Sequence, residues 1–283
     1  MGKLVLILDS IRFEHTIFAL PFAYIGMVLA ARGEVSWQQV LWITAAMAGA
    51  RTFAMAANRI IDRQIDALNP RTAMRALPRG LLSVWDMILL GMVGLSALIF
   101  SAAQLNDLCV KLLPVAALVL VGYNYTKRFT WLSHYILGFA DGMAPVGGWI
   151  AVTGSVDLEA VLLGLAVTFW IAGFDLIYAC QDIDFDRRHG LYSVPAQFGI
   201  SVGLRLSIVS HVLTVLLLAA VGVSLGLGPW YWLGVTIATG LLIYEHSLVR
   251  PRDLSRLTMA FFNMNGYIAV TMFVFVMAAV YIR

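Results

Sequence analysis

The sequence predicts an all-α, polytopic membrane protein with about nine transmembrane helices, and three observations carry that prediction. First, 61% of the 283 residues are hydrophobic and only 12% are charged, against roughly 25% charged in an average soluble domain; the mean hydropathy is +0.86. Second, apolar stretches long enough to cross a bilayer, each about 17–25 residues, recur along the whole length. Third, these stretches are continuous rather than alternating with a period of two. Only helices and closed barrels satisfy every backbone group in lipid, and continuity selects helices. The same numbers exclude a solvated globular enzyme, a disordered tail and a nucleic-acid binder. Lys and Arg total 19 against 16 Asp and Glu, a net charge of +3, and the basic residues lie in loops rather than on one face. Cys109 and Cys180 sit in separate apolar stretches and form no disulfide framework.

In chain order the runs lie near 15–31, 38–57, 83–103, 109–123, 135–153, 159–181, 202–225, 230–248 and 258–281. The first could imitate a signal peptide, with Ala30-Ala31 as a small-residue exit, but further spans follow and it is expected to be retained. The second carries the small-residue run Ala45–Ala50, suited to close helix approach, and Arg51, an intramembrane arginine. The fourth is the shortest, and with it the count is about nine. The second and sixth end in acidic segments. No soluble domain or long linker is left over, so residues 1–283 are expected to form a single transmembrane domain. With a cytoplasmic N-terminus, that side receives Lys3, Arg12, the arginines from Arg59 to Arg79, Lys127, Arg128, Arg187, Arg188, Arg205, Arg250, Arg252 and Arg256. The other side keeps Arg32, Lys111 and Arg283. The positive-inside rule then predicts a multi-pass protein of the inner (cytoplasmic) membrane with its acidic segments facing the cytoplasm.

Six of the 16 acidic residues fall in those two segments, Asn58–Asp66 and Asp175–Asp186. Each holds a polar residue followed by Asp at i+4 and i+8: Asn58, Asp62 and Asp66, then Tyr178, Asp182 and Asp186. On a helix these positions share one face, rising about 6 Å per step. Two such faces turned toward each other make a cage of oxygens. Clustered carboxylates repel unless a cation sits between them, and hard oxygen donors suit Mg²⁺, which completes its shell with substrate phosphates. Arg63, Arg71, Arg75, Arg79, Lys127 and Arg128 lie interleaved or nearby and suit a diphosphate. Carboxylates, cations and an apolar interior together describe a site for a lipid diphosphate.

At these residues the sequence resembles the UbiA superfamily of intramembrane prenyltransferases. Asn58, Asp62 and Asp66 match its first Asp motif, and Tyr178, Asp182 and Asp186 its second. Asn69-Pro70-Arg71-Thr72, Leu77-Pro78-Arg79-Gly80, Tyr123-Asn124-Tyr125-Thr126-Lys127-Arg128 and the stretch from His134 to Gly148 resemble it as well. Two positions depart: Arg59 stands where an Asp is frequent, and Ala76 where a Pro often follows the arginine. Phe13–Phe22 with Asn58-Arg59 looks most like the subgroup related to 4-hydroxybenzoate polyprenyltransferases, some members of which are associated with the futalosine route to menaquinone. The resemblance implies about nine helices around a central cavity with the Asp motifs at its cytoplasmic mouth. It also implies Mg²⁺-dependent transfer of a polyprenyl group from polyprenyl diphosphate to an aromatic acid acceptor in quinone biosynthesis. That acceptor is 4-hydroxybenzoate or, alternatively, a dihydroxynaphthoate.

In that reaction Asn58, Asp62, Asp66, Asp182 and Asp186 are the expected metal ligands. Lys127, with Arg12 as a weaker candidate, stabilises the leaving diphosphate. Asp175, two turns before Asp182, is expected to accept a hydrogen bond from the acceptor's phenol, or else to be a buried partner for an arginine. Arg128 or Arg51 pairs with the acceptor's carboxylate; the alternative for Arg51 is a salt bridge to Asp141 or another buried acid. His15, His134, His211 and His246 have no metal-ligand spacing and read as packing or interfacial residues. An ion-coupled transporter is the rival from another class, but it favours isolated midplane charges over a cluster at one boundary.

Overall fold

The computed structural model describes residues 3–11 and 16–282. Twelve α-helices follow one another: α1 (Lys3–Ser10), α2 (Thr16–Ala31), α3 (Trp37–Leu68), α4 (Val84–Ala103), α5 (Asp107–Thr126), α6 (Ser133–Thr153), α7 (Leu158–Ala179), α8 (Ile183–His189), α9 (Val194–Phe198), α10 (Ile200–Ser224), α11 (Pro229–Ser247) and α12 (Asn265–Tyr281). A π-helical segment, Met259–Met264, leads into the last. Each apolar run of the sequence coincides with one long helix. Seven of the helical segments are long and apolar enough to cross a membrane: α3, α4, α5, α6, the segment beginning with α7, α10, and the π segment with α12. Among the described residues, Leu20–Ala31 of α2 forms a shorter apolar helix beside these seven. α11 is long enough, but Trp230, Tyr231, Trp232, Glu245 and His246 make its ends polar or amphipathic.

The helix that positions the first Asp motif is also the one that most exceeds its apolar run. α3 begins at a capping box, Ser36 with Gln39, and continues for 32 residues to Leu68. At 1.5 Å per residue that is about 48 Å, against a hydrocarbon core of about 30 Å. Its last turns, Asn58 to Leu68, therefore extend past the apolar layer as an amphipathic stretch.

Consecutive helices pack on one another from α2 to α7, then α7 on α10, α10 on α11 and α11 on α12, and α12 returns to α2. α6 also packs against both α2 and α7. Small residues permit these crossings: Gly26 lies on the carbonyl of Pro145 and Gly148 on that of Ala23, where an added Cβ would collide with backbone. This is the close backbone approach that small residues give membrane helices in place of a hydrophobic driving force. The main core cluster gathers Phe22, Ile25, Leu163, Trp170, Tyr231 and Met272 from α2, α7, α11 and α12. Leu89, Val93 and Leu118 stand exposed on the outer faces of α4 and α5, as lipid-facing residues do.

One local expectation is corrected. The second i, i+4, i+8 array does not lie on a continuous α-helix. α7 ends at Ala179, a 3₁₀ turn covers Cys180–Asp182, and α8 starts at Ile183. The Cys180 N–H is shared between the carbonyls of Ile177 and Tyr178, the tightening typical of a helix end. Asp182 leaves the helical region altogether, at φ −98° and ψ 7°. Tyr178, Asp182 and Asp186 still face one cavity, but a turn and a second short helix bring them there.

Candidate active site

Asn58, Asp62 and Asp66 lie along the inner face of the end of α3, and each is held. Asp62 is 3% exposed. It accepts the Lys127 ammonium at 2.6 Å, the Arg128 guanidinium at 3.0 Å and the Asn58 amide at 3.1 Å. Asn58 also donates to Asn124 Oδ1 at 2.7 Å, joining α3 to α5. Asp66 accepts Arg75 at 2.6 Å, while Thr72 donates to its carbonyl at 3.0 Å, folding the loop after α3 back over the motif. Arg59, one of the two departures from the family pattern, is buried. Its Nε donates to the Ser10 carbonyl at 2.7 Å and its Nη1 lies 4.0 Å from Asp66, so it ties α1 to the motif.

Across the cavity Asp182 receives Arg71 in a fork, 3.2 Å from Nε and 2.7 Å from Nη2, with the Asn69 amide at 3.3 Å. Arg71 also donates to the Tyr178 hydroxyl at 2.7 Å. Burial works against the charge of Arg71, but the hydrogen bond and charge of Asp182 outweigh it and hold the guanidinium pKa above its ordinary value. Asp186 accepts Ser193 Oγ at 2.8 Å. Deeper on α7, Asp175 accepts from His134 Nδ1 at 2.7 Å. Tyr178 stacks on Phe261 at 4.0 Å, and Phe261 meets Phe174 edge-on at 5.2 Å, so an aromatic wall descends from the cavity along α7.

These groups line one cavity of about 300 Å³, walled on its apolar side by Ile65, Leu137, Ala179 and Phe185. Five carboxylates (Asp62, Asp66, Asp175, Asp182, Asp186) line it against three cations, Arg71, Arg75 and Lys127. A diphosphate entering such a lining alone meets net repulsion and needs accompanying positive charge. The donors are all hard oxygens, which suits a small divalent cation. Among the described residues no three carboxylate, imidazole or thiol groups converge on one point. That matches the habit of Mg²⁺ of taking one or two carboxylates and leaving the rest of its shell to water and substrate phosphate. The donor set fits the metal.

Comparison with known proteins decides the family. The UbiA prenyltransferase family matches residues 19–267. The chain belongs to it. A 4-hydroxybenzoate octaprenyltransferase of Aromatoleum aromaticum is 35% identical over 77% of this chain and 73% of its own length. The one of Paraburkholderia phytofirmans is 30% identical over 96% of both chains. An apo UbiA homolog from Aeropyrum pernix K1 superposes with a TM-score of 0.86 at 35% identity, covering 94% of this chain and 98% of that one. A UbiA homolog from Archaeoglobus fulgidus bound to DMAPP and Mg²⁺ shares the fold, with a TM-score of 0.74 at 20% identity over 98% and 99% of the two chains.

Within this UbiA-family fold the residues singled out in the sequence fall into three groups. Asn58, Asp62, Asp66, Lys127, Asp175, Tyr178, Asp182 and Asp186, with Arg71 and Arg75, line the cavity. Arg51 and Arg128 do not line it. Arg128 sits behind Asp62, spending its donors on the carbonyls of Asn124 and Ile61 as well as on Asp62. Arg51 has a buried Nε with no hydrogen-bond partner, and no ion pair joins it to Asp141 among the described residues. Arg12 and His15 lie outside the described residues. Sequence reasoning passed over Asn69, Ser193 and the role of His134. Asn69 and His134 stood in strings that carried the family resemblance, but nothing in their spacing tied them to an Asp.

Proposed function

We propose that this membrane protein transfers a polyprenyl group from polyprenyl diphosphate to the ring of 4-hydroxybenzoate, with Mg²⁺ as cofactor, in quinone biosynthesis. The observation that carries the reading is the single cavity where both Asp motifs meet Lys127, Arg71 and Arg75 beside an apolar and aromatic wall. The relatives' name, 4-hydroxybenzoate octaprenyltransferase, supports the acceptor. The Archaeoglobus homolog bound to DMAPP and Mg²⁺ supports the donor and the metal. Asn58, Asp62, Asp66, Asp182 and Asp186 would hold the metal, which when bound neutralises the diphosphate and makes it a better leaving group. The one-sided distribution of Lys and Arg supports an inner-membrane protein whose site opens to the cytoplasm. Membership of a prenyltransferase family removes the case for an ion-coupled transporter.

The protein's own groups do the rest. Lys127, Arg71 and Arg75 turn from carboxylates to phosphate oxygens as the anion enters. Lys127 then stabilises the charge that develops as the C1–O bond breaks. Tyr178, on the cavity wall with Phe261 stacked behind it, would face the allylic cation and help exclude water from it. The ring carbon ortho to the phenol attacks, and loss of its proton restores aromaticity. Asp175 would receive the phenol; of the two proposed anchors for the acceptor carboxylate, Arg128 is spent on Asn124, Ile61 and Asp62, which leaves Arg51, its Nε buried behind the cavity lining. The test is direct: incubate purified protein and Mg²⁺ with a prenyl diphosphate and a panel of aromatic acids that includes a dihydroxynaphthoate, then identify products by mass. Prenylated 4-hydroxybenzoate is expected. No prenylated product from any phenolic acid would overturn the reading.

A further inference from the structure

Among the described residues, Asp175 and Asp186 are the two cavity carboxylates with no lysine or arginine bonded to them: Asp186 is held by Ser193 Oγ at 2.8 Å, and Asp175 by a histidine, His134. Asp62, Asp66 and Asp182 each face a full positive charge at 2.6–2.7 Å. Asp175 has a single partner, His134 Nδ1 at 2.7 Å, and its Oδ1 makes no hydrogen bond among the described residues. The other ring nitrogen of His134 lies 3.2 Å from the backbone N–H of Val194. A backbone N–H can only donate, so Nε2 must present its lone pair, and the imidazole is neutral with its proton on Nδ1. The ring therefore donates to Asp175 without cancelling its charge. His134 is 3% exposed, and its attachment at Val194 adjoins Ser193, which binds Asp186. One loop thus sets both the imidazole and the end of the second Asp motif.

We propose that Asp175 is the proton acceptor for the acceptor's phenol, and that His134 is the positioning residue that aims its carboxylate. This rests on the prenyl-transfer reading. As the prenyl C1 bonds to the ortho carbon, the phenolic proton passes to Asp175 and the diphosphate leaves with the electron pair of the C1–O bond. The immediate product is an ortho-prenylated dienone. The proton on its substituted carbon is then lost, the oxygen is reprotonated from Asp175, and the net release is one proton. Asp62, Asp66 and Asp182 are already engaged by Lys127, Arg75 and Arg71, and Asp186 belongs to the proposed metal set, whereas Asp175 keeps an oxygen without a hydrogen bond among the described residues.

Two substitutions separate the two bonds of the imidazole. His134→Asn places an amide N–H near the position of Nδ1 and keeps the donor to Asp175; His134→Gln places its polar atoms near Nε2 and keeps the tie to Val194. Steady-state kinetics of the full-length protein with Mg²⁺ and prenyl diphosphate should show kcat falling about 100-fold for His134→Gln and for Asp175→Asn, within the range for a lost general base. The KM for the diphosphate should stay within about twofold. His134→Asn should recover at least about tenfold of the loss, and the His134→Gln/Asp175→Asn double variant should be no worse than either single. With 3-fluoro-4-hydroxybenzoate, whose phenol is more acidic, the wild-type to variant ratio should shrink, because less help is needed to remove the proton. A purely structural histidine would lower activity equally with both acceptors, show no preference for Asn over Gln and follow the thermal midpoint; that pattern, or His134→Gln within about threefold of wild type, overturns the proposal. If the wild-type protein prenylates no phenol at all, it is the prenyl-transfer reading that has failed.

Discussion

Lys127 and Arg128 are adjacent, both bind Asp62, and they should nevertheless behave differently when replaced by methionine. Lys127 lines the cavity, its side chain is 34% exposed, and its nitrogen makes one contact, to Asp62 Oδ2 at 2.6 Å. Removing it leaves Asp62 still paired with Arg128 at 3.0 Å, so no buried carboxylate is stranded. Because the Lys127 end is a third exposed and the buried Asp62 keeps Arg128, losing the pair costs about 1 kcal/mol, a fall of about 2–4 °C in thermal midpoint for a chain of this size. In the reacting complex the same ammonium meets the developing diphosphate charge, and losing one such donor costs about 2.7–4 kcal/mol, or 10²–10³ in kcat. Lys127→Met should therefore be nearly as stable as wild type and close to inactive.

Arg128→Met should show the reverse. Its guanidinium binds two backbone carbonyls, those of Asn124 and Ile61, and one oxygen of Asp62. Hydrogen bonds of charged groups are worth about 1.5–3 kcal/mol each when lost from a buried partner, so the midpoint should drop by more than for Lys127→Met. Catalysis suffers only through the looser hold on Asp62. The assay is paired: product formation by mass with saturating substrates, and the unfolding midpoint of the same detergent preparations. If Lys127→Met keeps more than about a tenth of wild-type kcat, or if both variants lose activity in proportion to stability, Lys127 has no separate role at the diphosphate and the cavity-facing argument fails.

Three further outcomes follow from the same geometry. Asp62→Ala and Asp182→Ala should each abolish transfer while leaving protein in the membrane, and chelation should silence the wild type until Mg²⁺ is restored; full activity in Asp62→Ala would sink the metal assignment. Cysteines introduced near Arg71 and Arg188 should both label from the cytoplasm and one near Ser155 from the opposite side, whereas labelling of the first two from opposite faces is incompatible with a shared cavity. Arg51→Ala should raise the acceptor KM at least tenfold with 4-hydroxybenzoate and far less with a phenol lacking the carboxylate; equal effects on both would remove Arg51 from the acceptor site.

The helices were legible because lipid leaves the backbone few choices: wherever an apolar run reaches bilayer length, a helix is forced. The ends of the runs were less so. α3 outlasts its run, 38–57, by 11 residues, to Leu68, because Asn58, Asp62 and Asp66 are helical on a face that hydropathy alone scores as loop. Their four-residue spacing was the surviving signal. The same spacing misled at Tyr178, Asp182 and Asp186, where α7 stops and a 3₁₀ turn intervenes. Periodicity fixes a shared face only while the hydrogen-bond ladder continues. Beyond the apolar layer water can satisfy the carbonyls, and the ladder is free to break.

What the carboxylates bind was only partly readable for a different reason. Their number and sign are properties of the sequence, and an acid-poor chain that concentrates Asp at two helix ends announces a cation. Which cation each one meets is a property of distant pairs: Arg71 reaches Asp182 across 111 positions, and Lys127 reaches Asp62 across 65. His134 shows where such reading stops. It stands 41 residues from Asp175 and 60 from Val194, so no local pattern marks it, and a lone histidine on an apolar helix is usually packing. Its chemistry arises only from the simultaneous presence of a donor at one ring nitrogen and an acceptor at the other, which fixes the tautomer. Asp175 thereby becomes the only carboxylate of the cavity, among the described residues, whose partner is a neutral imidazole. On the proposed reading, a site that binds an anion through cations also needs one carboxylate held apart from them, and a tautomer-locked histidine holds Asp175 without adding a charge.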